Sequence, residues 1–202
     1  MGRISFPVQC LGILGFGILY VPMAVMVAFS FNAGKLVSVW AGFSAKWYAS
    51  LLTNEQLLNA FGLSLFIAFW AATLATFFGL LIAVAFVRFG NFRGRLILSG
   101  LSSAPLVMPE VVTGLSLLLL FIGMEATFGW PAGRGIETII IAHATFGMCF
   151  AAIVIQARLR DFDKSIEEAA YDLGARQPFV LFSITLTAII PALAAACLLA
   201  FT

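Results

Sequence analysis

The chain has 202 residues, of which 62% are hydrophobic and only 10% charged, with a mean hydropathy of +1.09. A globular domain is roughly 45–50% apolar and about 25% charged, so the 11 basic and 9 acidic side chains are too few to coat a water-soluble surface of this length. Disorder is excluded by the abundance of apolar residues. A net charge of +2 without a basic tail offers nothing to a nucleic-acid backbone. The composition is that of an integral membrane protein, and its apolar runs make it an all-α, polytopic transmembrane helical bundle.

A helix needs about 20 apolar residues to cross the hydrocarbon core. The first such run covers residues 8–31 and is interrupted only by Pro22 and small polar groups. It is longer than the apolar region of a signal peptide and is read as a retained span. The second covers 57–87. Within it Ala71, Ala75 and Gly79 recur every fourth residue, a small-residue stripe that admits a close neighbour. The third covers 96–122, with Pro105, Pro109 and Glu110 in its middle, where both prolines are expected to open the helical ladder. The fourth covers 136–157 and the fifth 179–202. Together they make one transmembrane domain over 1–202. Cys10, Cys149 and Cys197 each sit within an apolar run, without metal-site or disulfide spacing, and read as small hydrophobes.

Basic residues in short loops stay cytoplasmic. Arg88, Arg93 and Arg95 lie between spans two and three; Arg158, Arg160, Lys164 and Arg176 lie between spans four and five. With Arg3 these outnumber Lys35, Lys46 and Arg134, which fall on the other side, so the N-terminus is expected in the cytoplasm.

The cytoplasmic loop 158–178 is itself patterned. Ser165 and Glu168 have the spacing of a capping box. Ile166, Ala169, Ala170 and Leu173 share one helical face, Gly174 stands at the position of a left-handed C-cap, and Pro178 prevents continuation. A helix of two turns is unstable alone in water, so packing must hold it, against this chain's own spans or in a partner's groove.

Glu168-Ala169-Ala170, then Gly174, then Ile184-x-Leu186 resembles the EAA motif of ATP-binding-cassette importer permeases. Thr187 stands where the family usually has proline, and Pro191 matches a second proline. The likeness implies a type I importer permease fold. It makes Ser165, Glu168, Ala169, Ala170, Leu173 and Gly174 a coupling helix that docks on a cytoplasmic ATPase. The stretches Ser30-Phe31-Asn32, residues 39–44 with Trp47-Tyr48, residues 104–116, Gly129-Trp130-Pro131-Ala132 and Leu199-Ala200-Phe201-Thr202 narrow it to polyamine permeases, nearest to the second permease subunits of putrescine importers. That family implies a bacterial inner-membrane location, a second permease, two ATPases that carry the ATP and magnesium, and a periplasmic polyamine-binding protein. This chain itself would hold no cofactor. Family members also continue into a sixth span, so the sequence reads as cut short at Thr202.

Glu110 is the leading candidate for contact with a cationic substrate, because an intramembrane carboxylate costs at least roughly 2.5–3.5 kcal/mol and should face a cavity or a partner. Pro109 beside it frees carbonyls that can line a polar path. Glu125 and Trp130, with Glu137, flank the outer loop and form a possible cation mouth or a solvated rim. Trp40, Trp47 and Tyr48 fit an aromatic belt better than a docking surface. His143, the single histidine, reads as a hydrogen-bonded interior residue. Asp161 and Asp163 beside Arg158 and Arg160 read as a solvated charge cluster. The sequence holds no phosphate-binding loop, nucleophile elbow or zinc-helix motif, so the expectation is a transport subunit rather than an enzyme. A secondary transporter or a cation channel is the alternative, although its repeats or pore-lining charge series are not evident.

Overall fold

The computed structural model describes residues 6–36 and 39–202, with the backbone alone for Phe6, Pro7, Gln9 and Cys10. Arg3, used above for orientation, and the Cys10 side chain lie outside what is described. Among the described residues there is no β-strand, and the elements are α1 (Phe6–Ser30), α2 (Lys46–Thr53), α3 (Glu55–Arg88), α4 (Arg95–Val107), α5 (Glu110–Phe128), α6 (Ile136–Asp161), α7 (Ser165–Asp172) and α8 (Gln177–Phe201). Five of these, α1, α3, α5, α6 and α8, are long and apolar enough to cross a membrane.

The chain divides into two compact units, Met1–Gly62 and Leu63–Thr202. The first is organised locally. Its connector, described at residues 31–36 and 39–45, folds around Asn32, which is 3% exposed. The Asn32 amide nitrogen donates to the carbonyls of Leu36 (3.2 Å) and Val39 (2.7 Å), and its Oδ1 accepts from the backbone N–H of Gly34 (3.1 Å) and Ala41 (2.8 Å). The Trp47 indole donates to the Asn32 carbonyl at 2.9 Å, and Tyr48 sits against Phe31 with ring centroids 5.2 Å apart. These aromatics therefore brace the connector through specific contacts.

In the second unit the small-residue stripe meets α6. A Cβ added at Gly79 would lie 2.7 Å from the Ala151 Cβ and 2.9 Å from the Ala152 backbone nitrogen, and one at Gly147 would lie 3.1 Å from the Ala75 Cβ. Lipid gives helices no hydrophobic reason to associate, so close backbone approach and dense van der Waals contact hold such pairs. The core continues with Ala83, Ile155, Leu159, Ile189 and Ala196, all buried. The Arg95 guanidinium closes the turn between α3 and α4 by donating to the carbonyls of Phe86 and Gly90.

The third expected span is corrected. Residues 96–122 form two helices, α4 and α5, broken at Met108 and Pro109, and the membrane-length segment is Glu110–Phe128. Proline disfavours helical geometry in the residue before it, and Met108 is extended at φ −78°, ψ 142°. Pro105, expected to help break the ladder, lies inside α4 without ending it.

Candidate functional site

The break at Met108–Pro109 makes Glu110 the first residue of α5, with Pro109 at the N-cap, whose carbonyl accepts from Val112 (2.9 Å) and Thr113 (3.2 Å). Glu110 thus stands at an interrupted helix end rather than within a continuous span. It opens onto a cavity of about 650 Å³ between α5, α6 and α8. Thr113 and Gly114 line it from α5, His143, Phe146 and Phe150 from α6, and Leu199 from α8. The Thr113 hydroxyl is shielded from solvent and has no hydrogen-bond partner. His143 is exposed on the cavity wall, a correction to its reading as a bonded interior residue. One carboxylate, one imidazole, an unpaired hydroxyl and two phenyl rings offer both charge and π-faces to a small cation.

The other pathway candidates do not join this cavity. Glu125 accepts from the Gly133 N–H (3.2 Å) and pairs with Arg134 at 3.4 Å, closing the loop in which half-exposed Trp130 sits. That arrangement is a braced turn between α5 and α6. Pro109 acts on Glu110 through the backbone. Among the described residues, no group of histidine, cysteine and acidic side chains could hold a metal ion.

The second candidate segment is α7. The expected capping box does not form. Lys164 is helical at φ −66°, ψ −21°, so the helix begins one residue earlier than the box requires, and Asp163 Oδ1 accepts from the Ser165 N–H at 2.9 Å. Hydrogen bonds from Ser165 hold the Asp163 carboxyl below the ordinary carboxylate range. The C-terminus does close on Gly174 as expected. At φ +84° it donates to the Tyr171 carbonyl (2.8 Å) while Ala175 donates to that of Ala170 (3.0 Å), the paired bonds of a Schellman cap.

Ile166, Glu168, Ala169 and Leu173 are exposed, with Leu173 at 90%. The helix is held from its other side. Glu167 Oε1 accepts from the Arg88 guanidinium at the end of α3 (2.6 Å) and from the Thr185 hydroxyl in α8. Thr185 closes a π-helical segment, Val180–Thr185, where α8 is locally widened. Sequence reasoning missed this cluster. Its one legible trace is a polar residue, Thr185, in an apolar run.

Residues 75–202 match the family described as the inner membrane component of binding-protein-dependent transport systems. The chain belongs to that family. It is 54% identical over 190 residues to the putrescine transport system permease protein PotI of Escherichia coli (strain K12), covering 94% of this chain and 68% of the relative. It is 37% identical over 184 residues to the spermidine/putrescine transport system permease protein PotC of the same organism, covering 91% and 67%. It is also 32% identical over 196 residues to the E. coli sulfate transport system permease protein CysT, covering 94% and 69%. The resemblance to polyamine permeases therefore holds, and the chain is a helical inner-membrane permease component. The relatives' names span a dication and a dianion, so the shared scaffold does not by itself set the cargo.

Proposed function

We propose that this chain is a permease subunit of an ATP-driven importer of polyamines, with putrescine as its cargo. The carrying observation is the 54% identity to a putrescine permease over 94% of the chain. The cavity suits such a cargo. Glu110 supplies a carboxylate for one ammonium group, and Phe146 and Phe150 supply faces for the alkyl chain and the cationic ends.

The assembly this reading requires has a second permease, two ATPases that bind ATP and magnesium, and a periplasmic polyamine-binding protein. The exposed face of α7 (Ile166, Ala169, Leu173 and the neighbouring Glu168) docks on an ATPase, with half-buried Ala170 on the same face, Ser165 at the start held by Asp163, and Gly174 closing the end. The N-terminus and the two arginine-rich loops lie in the cytoplasm.

The test is uptake of labelled putrescine into ATP-loaded vesicles carrying the whole transporter. Glu110→Gln should raise the half-saturating concentration about tenfold or more, the loss of one hydrogen bond to a charged group, while the complex still assembles. Unchanged uptake by that variant removes Glu110 from the pathway. Uptake by the unaltered complex that ignores ATP depletion removes the importer reading and favours a secondary transporter or channel.

A further inference from the structure

The polar cluster at Glu167 has no part in the exposed face that an ATPase would meet, yet it ties α7 to two other helices. Among the described residues, the only side-chain hydrogen bonds from α7 to other helices are those of Glu167. One carboxylate oxygen receives both donors, Arg88 from the last residue of α3 and Thr185 from within α8. The ion pair is largely shielded, with side chains 18% and 13% exposed, and Thr185 is 2% exposed. Shielding strengthens charge attraction and makes an unpaired charge costly, so the three groups resist separation. A π-helical turn is a recurrent mark of functional segments, and here it ends on the residue that bonds the carboxylate. An apolar contact tolerates sliding, but a carboxylate oxygen shared by two donors fixes direction.

We infer that Glu167, Arg88 and Thr185 form the joint that carries displacement of α7 to α3 and α8 together, so that Glu167 is a positioning residue for transport and not a docking residue. This rests on the reading of α7 as the ATPase-coupled helix. The joint lies behind the docking face, so breaking it should leave the ATPase bound and active while disconnecting its stroke from the membrane helices.

The test uses the complete transporter with its ATPases and binding protein in vesicles, reading ATP hydrolysed per putrescine imported. Glu167→Gln and Thr185→Val should keep assembly and hydrolysis within about twofold while uptake falls about tenfold, in the range found for residues that modulate coupling without touching either ligand. The reciprocal exchange Arg88→Glu with Glu167→Arg should recover uptake. A parallel fall of hydrolysis and uptake, or an unchanged ratio in either single variant, overturns the joint. Should Glu167→Gln fail to assemble, Thr185→Val, which keeps shape and charge, decides by the same measurement. Ala169→Arg on the exposed face separates the two readings, since it should release the ATPase. If it does and the ratio in Thr185→Val is unchanged, the joint alone is wrong; if Ala169→Arg leaves ATPase binding and uptake normal, the docking reading is wrong.

Discussion

Single residues carry unequal weight here, and polarity in an apolar setting marks the heavy ones. Asn32 uses its whole amide on four backbone groups of the connector 31–45. Asn32→Ala leaves those groups without partners and should destabilise the connector by about 2 kcal/mol, read as faster proteolysis between residues 31 and 45. Asn32 was visible in the sequence as part of a family stretch, but its role was not, because a buried asparagine organises a loop through atoms that no periodicity reports. Gly79 was legible as a member of a small-residue stripe, and there the pattern and the packing agree. Gly79→Val forces side-chain atoms against the Ala152 backbone and should cost about 1–3 kcal/mol, seen as loss of folded protein from the membrane.

At the scale of elements, α7 shows how a correct helix can carry an incorrect cap. Composition and spacing place the helix and its Gly174 end, but Asp163, read as one of a solvated charge cluster, takes the Ser165 N–H that the Glu168 side chain was expected to accept. A carboxylate two residues upstream reaches that donor with less chain ordering than a reciprocal pair, and the capping-box pattern does not register the competitor. Because the Asp163 carboxyl is held below its ordinary range, its contact stabilises α7 fully above that range, and this stabilisation is lost as pH falls through the lowered value. Amide exchange at Ser165, corrected for its intrinsic pH dependence, should stay slow from neutral pH to below about pH 4 and then quicken. Asp163→Asn keeps an accepting oxygen and should lose that acid step. At the other end, Gly174→Ala meets open space, so its cost is the left-handed backbone alone, about 1 kcal/mol, visible as fraying of Leu173 and Asp172.

For the whole molecule, hydropathy locates the five membrane-length helices but not the interruption among them. Residues 96–122 are uniformly apolar enough to read as one span, and the backbone effect of Pro109 on Met108 is what divides them. The cavity was half legible: Glu110 stood out as an acid among apolar neighbours, whereas Phe146, Phe150 and Thr113 become wall residues only once α5 and α6 are side by side. The proposed orientation rests on the arginine-rich loops and is open to direct labelling. A cysteine placed at Lys164 should react with membrane-impermeant thiol reagents from the cytoplasmic side only, and one at Lys46 from the periplasmic side only, in an otherwise cysteine-free chain.

Where α3 crosses α6 at Gly79, main chain rests on main chain, with no pliable side chain between to absorb a shift. Close packing of this kind resists sliding of one helix along the other. At Met108–Pro109, by contrast, the helical ladder is already interrupted, so a bend placed there would sacrifice little further backbone hydrogen bonding.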